Sequence, residues 1–235
     1  HAYPGADYDL PLAGALFGRV LKQAGRFEQA LLYLANAQRR FEAIEQAYPG
    51  RSAAMVSACW TDRADCLTGL GQLDEAVAAY EEGIHGAERQ GNKLGVAAGK
   101  LHLGSVRNLQ GRYQDALEAY AEARDHFTAL REPGSVALVW HQIGVAYRRA
   151  GKVEAAEEAY RRSLALKAQA GDVVGEVRTL AELGNLYHVL GRLEEAASFH
   201  GRAAEGYVNI GDLAGQGASQ NNLALTLRRL GRPGE

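Results

Sequence analysis

A glycine returns every forty residues along most of this chain, at Gly71, Gly111, Gly151, Gly191 and Gly231, with an earlier copy at Gly25. Five residues after each comes an alanine: Ala30, Ala76, Ala116, Ala156 and Ala196. Four further on stand Leu34, Tyr80, Tyr120, Tyr160 and His200. Seven residues before each glycine sits a small residue: Gly18, Ala64, Gly104, Gly144, Gly184 and Ala224. Four landmarks held through this many copies confine the chain to a stack of near-identical units, each too poor in apolar surface to fold alone.

The chemistry of the landmarks says what the unit is. A helix ends most easily with a glycine in the left-handed region. Carboxylates follow the turn glycines at once (Glu28, Asp74, Glu75, Asp115, Glu154, Glu194, Glu195), where the positive end of a helix dipole favours them. Each glycine therefore separates two helices. With only five prolines and five phenylalanines in a background rich in Ala, Leu, Arg and Glu, helix is favoured throughout. The expected fold class is all-α, a solenoid of antiparallel helix pairs, five pairs plus a final single helix. Residues 1–10 form a lead-in, and residues 11–235 one array of repeats at 11–50, 51–92, 93–132, 133–172 and 173–212 with a partial copy at 213–235. Pro11 suits the first turn of a helix. Tyr48-Pro49-Gly50, Gly91-Asn92, Glu132-Pro133, Gly171-Asp172 and Gly211-Asp212 are the turns between repeats. The first repeat is six residues longer than the rest, as a cap tolerates. The small residues are expected where paired helices cross closely, and the recurring aromatic in the layer between neighbouring repeats.

Composition narrows the function. A formal net charge of −2 points to neither nucleic acid nor membrane as partner. No stretch is long and apolar enough to span a bilayer, and the N-terminus lacks the layout of a secretory signal. Cys59 and Cys66 lie seven apart on one expected helix, putting their Cα atoms ~10 Å apart, too far for a disulfide. Free buried thiols and a reducing, cytoplasmic setting follow as expectations. The chain begins at His1 without an initiator Met and stops at GRPGE partway into a repeat, and it is read as a piece of a longer protein. There is no H-E-x-x-H, G-x-S-x-G, C-x-x-C or phosphate-binding glycine loop. The histidines are scattered, so no enzyme, metal or cofactor is expected.

The fourth repeat reads Trp140-x2-Ile143-Gly144-x2-Tyr147, then Ala156-x3-Tyr160, and the fifth gives Leu180, Leu183, Gly184, Tyr187, Ala196 and His200 in the same places. This closely resembles the tetratricopeptide-repeat (TPR) family over residues 12–230. Two departures stand out: the period is forty instead of the usual thirty-four, and the proline that closes the second helix is missing. Both are similar to the long repeats of kinesin light chain, of cell-polarity adaptors and of sensor regions in bacterial multidomain regulators. The resemblance implies a right-handed superhelix whose first helices line the concave face. It implies peptide or protein binding, not catalysis.

One feature goes beyond family membership. The first helices with their lead-in turns carry twelve Lys/Arg against four Asp/Glu; the second helices carry thirteen against twenty-one. If first helices line the inner surface, the groove is basic and the outside acidic. The candidate groove residues are Asn108, His141, Arg148, Arg149, Asn185, His188, Asn221 and Arg228. Asn side chains donate to and accept from a peptide backbone, and Arg pairs with carboxylates. Arg148, Arg149, Arg228 and Arg229 also sit near helix C-termini, where the dipole alone favours a cation, and that reading stays open beside the first. The expected function is a protein- or peptide-binding scaffold for an acidic extended segment, with self-association through helix 214–230 as a further option. The alternative is a sensor or autoinhibitory repeat region of a larger bacterial signalling or transcription regulator.

Overall fold

A computed structural model describes residues 6–232. Among these residues there are eleven α-helices and no strand: α1 Ala6–Gln23, α2 Phe27–Ala47, α3 Ala53–Gly69, α4 Leu73–Arg89, α5 Lys93–Leu109, α6 Tyr113–Ala129, α7 Pro133–Arg149, α8 Val153–Ala170, α9 Val173–Val189, α10 Leu193–Ile210 and α11 Leu213–Arg229. They follow one another as consecutive pairs with α11 left single, the architecture read from the period. The one displaced boundary is the first. Residues 1–5 of the expected lead-in lie outside the described residues, and α1 already begins at Ala6. Pro11 therefore sits inside the helix, a turn beyond the position where its missing N–H costs nothing.

The helices fall into two compact units, residues 1–126 and 127–235. In the first, α1 pairs with α2 and α3 with α4, while α2 packs on α3 and α4 on α5. In the second, α7 pairs with α8 and α9 with α10; α8 packs on α9 and α10 on α11. First helices also touch one another directly, α1 with α3 in one unit, α7 with α9 and α9 with α11 in the other. The second unit thus has a continuous row of first helices, and in the first unit α1 and α3 adjoin in the same way.

The turns repeat to the atom. At Gly25, Gly71, Gly111, Gly151, Gly191 and Gly231 the backbone is left-handed, with φ between 72° and 76°. The next residue's N–H reaches back five positions to close the helix end, as in Arg112 N to Arg107 O at 2.9 Å and Lys152 N to Tyr147 O at 2.9 Å. Between repeats Gly91, Gly171 and Gly211 take the same conformation, and Asn92, Asp172 and Asp212 then cap the following helix by accepting from the N–H three residues on, each at 2.9 Å. Residue 131 breaks the rule: Arg131 holds φ 58° where its counterparts are glycine. Its neighbour Glu132 makes no side-chain cap, and Pro133 opens α7 instead.

The small residue of each first helix lies under the recurring side chain of its own second helix. A Cβ built on Gly104 would stand 2.6 Å from the Tyr120 ring, on Gly144 2.6 Å from Tyr160, and on Gly184 2.6 Å from His200. Tyr120, Tyr160 and His200 are buried. The aromatic thus covers the close crossing inside its own pair, more specifically than the expected place between neighbouring repeats. Cys59 and Cys66 are buried and free, and burial pushes their thiols up to about 12 and about 11, which leaves them unreactive. Two opposite stability effects are expected in urea melts. Gly144→Ala should destabilise by about 1–3 kcal/mol, because the buried Tyr160 ring has nowhere to go. Arg131→Gly should stabilise by about 1 kcal/mol by relieving a left-handed non-glycine residue.

Candidate functional site

The first-helix row of each unit carries the candidate residues, and the structure sorts the cations on it into paired and free. On α1 of the first unit they are paired. Lys22 donates to Asp62 at 2.6 Å and to Asp65 at 2.5 Å, Arg19 donates to Asp62 at 2.6 Å, and the Tyr80 hydroxyl donates to Asp65 at 2.5 Å. Burial alone would lower the Lys22 pKa, but its hydrogen bonds to Asp62 and Asp65, and their charges, outweigh that and hold it above its ordinary value. This lock ties α1 to α3.

Other first-helix cations do not belong to the row's open side. Lys100 pairs with Glu122 at 2.7 Å and Arg107 with Glu81 at 3.2 Å, both acids on second helices. Arg63 donates to Gln38 of α2 at 2.6 Å and lies over the Trp60 ring. The excess positive charge counted along the first helices is therefore only partly on the row's open side. Asn108 is buried, 5% exposed, with its Oδ1 lacking a hydrogen-bond partner. It belongs to the first unit, whereas the other seven candidates stand on the second.

In the second unit Arg148 repeats the lock of Lys22. Its guanidinium faces Glu182 of α9 at 3.4 Å, and its Nε lies 3.5 Å from the Tyr160 hydroxyl. His141 is drawn inward as well. Its Nδ1 is 3.2 Å from Thr179 Oγ1, which also receives a bond from the buried Lys167 at 2.9 Å. Burial, then the charges of Lys167, Arg178 and Arg148, lower the His141 pKa to about 4, so the imidazole is neutral at pH 7.

The remaining candidates gather on α9 and α11 and at the end of α7. Asn185 accepts from Asn222 Nδ2 at 3.1 Å. Thr226 gives its hydroxyl proton to Asn222 O at 2.7 Å, so His188 Nδ1, 2.8 Å from Thr226 Oγ1, is the donor there; His188 Nε2 accepts from Arg229 at 3.1 Å. Arg149, Asn221 and Arg228 are exposed. Sequence reasoning missed Glu182, Asn222 and Thr226. For Glu182 a signal was available: it stands two residues before Gly184, as Asp62 stands two before Ala64, and each faces the cation four residues after the preceding repeat's small residue.

Among the described residues no group of three or more His, Cys, Asp or Glu is placed to hold a metal ion, and no helix is long and apolar enough to cross a membrane. The row offers hydrogen-bond donors, acceptors and cations on a rigid helical surface, the equipment of a recognition surface.

The fold and this row define a helical-pair repeat scaffold of the kind that mediates protein–protein interaction. TPR family models match residues 57–84, 95–169 and 177–199, together more than half of the chain: the repeats are tetratricopeptide repeats. Among solved structures, BtubC (BKLC) from P. vanneervenii is 21% identical with a TM-score of 0.72, over 84% of this chain and 80% of that one. A signal-transduction ATPase with numerous domains (STAND) and a tetratricopeptide-repeat sensor, from Pyrococcus horikoshii, is 18% identical with a TM-score of 0.76; the match covers 93% of this chain but 33% of that one. A Rap protein complexed with Competence and Sporulation Factor is 12% identical with a TM-score of 0.70, over 94% of this chain and 70% of that one. These likenesses speak for the fold.

The lowered pKa of His141 gives the stability a sign with pH. A histidine kept neutral in the folded state stabilises it above the unfolded pKa near 6.5, and that contribution is lost as pH falls from there towards 4. His200, also lowered to about 4 by burial and then by the charge of His188, adds to the same loss. Urea melts at pH 7 and pH 4.5 should show the native protein weakened at the lower pH, and His141→Gln should shrink that difference.

Proposed function

We propose that the chain is a binding scaffold whose second unit holds an acidic, extended protein segment along its first-helix face, the concave surface of the family. The observation that carries this is the set of exposed guanidinium groups left without an acid. Among the described residues Arg149, Arg178 and Arg228 make no ion pair, although Glu176 and Glu182 share α9 with Arg178. Lys22 and Arg148, by contrast, are committed to repeat–repeat locks. Unpaired cations on one rigid face attract carboxylates from a distance and pair with them in bidentate fashion at contact. Asn185 and Asn221 lie beside them and supply neutral hydrogen bonds to a peptide backbone, while His188, engaged by Thr226 and Arg229, serves to position its neighbours. Arg148, His141 and Asn108 play a supporting part: the first two fix the helices that present the surface, and the third lies buried in the other unit.

A second reading draws on the likeness to the ATPase whose repeats are described as a sensor. In that reading the first-helix face of this chain contacts another domain of its own polypeptide instead of a separate partner. Both readings place the contact on the same arginines.

The test is a fluorescence titration of a short glutamate-rich peptide against native protein and the Arg149→Glu/Arg228→Glu double variant, at low and physiological ionic strength. Affinity should fall as salt rises and fall at least about tenfold in the double variant. Glu205→Lys, on the opposite helix row, should leave it unchanged. Equal binding by native and double variant, or indifference to salt, refutes the basic-surface reading.

A further inference from the structure

The side chain covering each crossing ends on the first-helix face, and in the fifth repeat it ends short. Tyr80 reaches Asp65 with its hydroxyl, and Tyr120 reaches Ser105 at 3.2 Å; both partners sit one residue after the repeat's small residue. In the fourth repeat that position is Val145, and the Tyr160 hydroxyl turns to Arg148 instead. In the fifth the position is Asn185, but the ring is His200, which has no hydroxyl to offer it. Beside His200 there is a cavity of about 160 Å³, lined by Asn185, His188, Val189, His200, Asn222 and Leu225.

The lining is mostly apolar, and its few polar groups are incompletely used. His200 is 1% exposed, and its Nδ1, pressed against Gly184, has no partner. Both nitrogens of His188 are engaged, one by Thr226 and one by Arg229, so neither is available to a guest. Asn222 uses its amide nitrogen on Asn185 and keeps its carbonyl oxygen, while Asn185 uses its carbonyl oxygen and keeps its amide nitrogen. Two residues that line the cavity thus keep one donor and one acceptor between them. A carboxylate satisfies the donor but sets a second acceptor against the Asn222 oxygen. A carboxamide satisfies both.

We propose that this cavity is a pocket for a primary carboxamide, the side chain of a glutamine or asparagine on the segment that the scaffold binds. It rests on the binding-surface reading only for what delivers the amide. The pocket itself is testable alone, with propionamide and propionate as probes followed by the ring resonances of His200 and the side-chain amide resonances of Asn185 and Asn222. Propionamide should shift them saturably, with a dissociation constant of roughly 10–100 mM for so small a probe, and propionate at least about tenfold more weakly. His200→Tyr, which installs the residue of the three preceding repeats, should fill the pocket and abolish the shifts while helicity and melting are kept. Asn222→Ala should weaken propionamide towards the level of propionate, and stands as the second test should His200→Tyr not fold. Propionate binding as well as propionamide overturns the proposal, as does propionamide binding that survives His200→Tyr or Asn222→Ala, or no saturable shift in native protein. None of these outcomes depends on Arg149 or Arg228, so pocket and basic surface can fail separately.

Discussion

Everything in this chain hangs on the contact between a small residue of one helix and the ring that lies over it from the next. With no side chain at Gly104, Gly144 or Gly184, the paired helices approach until the ring of Tyr120, Tyr160 or His200 rests on the bare backbone. That contact fixes the crossing, and the crossing fixes which residues of the first helix are left facing outward. The same rings then project their polar ends onto the first-helix face: Tyr80 holds Asp65, and Asp65 holds Lys22. The packing device and the polar lining of the first-helix face are two ends of one side chain.

Charge on the first helices has two uses, and a count by helix cannot separate them. Lys22 and Arg148 each face an acid on the next first helix, Asp62 and Glu182, and so hold one repeat to its neighbour. Lys100 and Arg107 turn the other way, to acids of the second helices. A similar knot ties α8 to the next pair: the Tyr187 hydroxyl donates to Glu157 at 2.6 Å, Arg161 donates to that hydroxyl at 2.7 Å, and Arg192 lies over the Tyr187 ring while reaching Glu157. Half-buried networks of this kind stabilise by register more than by raw energy, since each charge is partly desolvated. Only cations outside such networks can exert a field on a ligand.

The fold was legible because the forty-residue period states each rule several times. Glycine at the turn, alanine five on and a small residue seven before are local requirements of backbone geometry, so they survive in every copy. The start of α1 was not legible, since Pro11 has no second copy to compare with and reads equally well as a first-turn proline. Nor was the fate of His141, Arg148 and Asn108. Their positions along a helix are local, but what they meet lies on another repeat or inside a core, and a period does not announce it. The Arg148–Glu182 lock was half visible: Lys22 and Asp62 occupy the same two slots, offset by the six extra residues of the first repeat. Val145 hides the pattern further, because it stands where Asp65, Ser105 and Asn185 show something polar.

The most informative residue is the one that breaks a rule of the interior. A buried imidazole nitrogen without a partner costs about 1–3 kcal/mol relative to a satisfied one, and His200 bears that cost at a place where tyrosine serves three other repeats. A stack of repeats tolerates it because its stability is a sum of local and nearest-neighbour terms, so a loss in one pair is not multiplied through the rest. Local rules broken inside a regular array mark the places where something other than packing is being selected. Here the break lies beside Asn185 and Asn222, which keep a free amide nitrogen and a free carbonyl oxygen. An interior change from tyrosine to histidine is therefore how one repeat of an otherwise uniform scaffold acquires a surface unlike its neighbours.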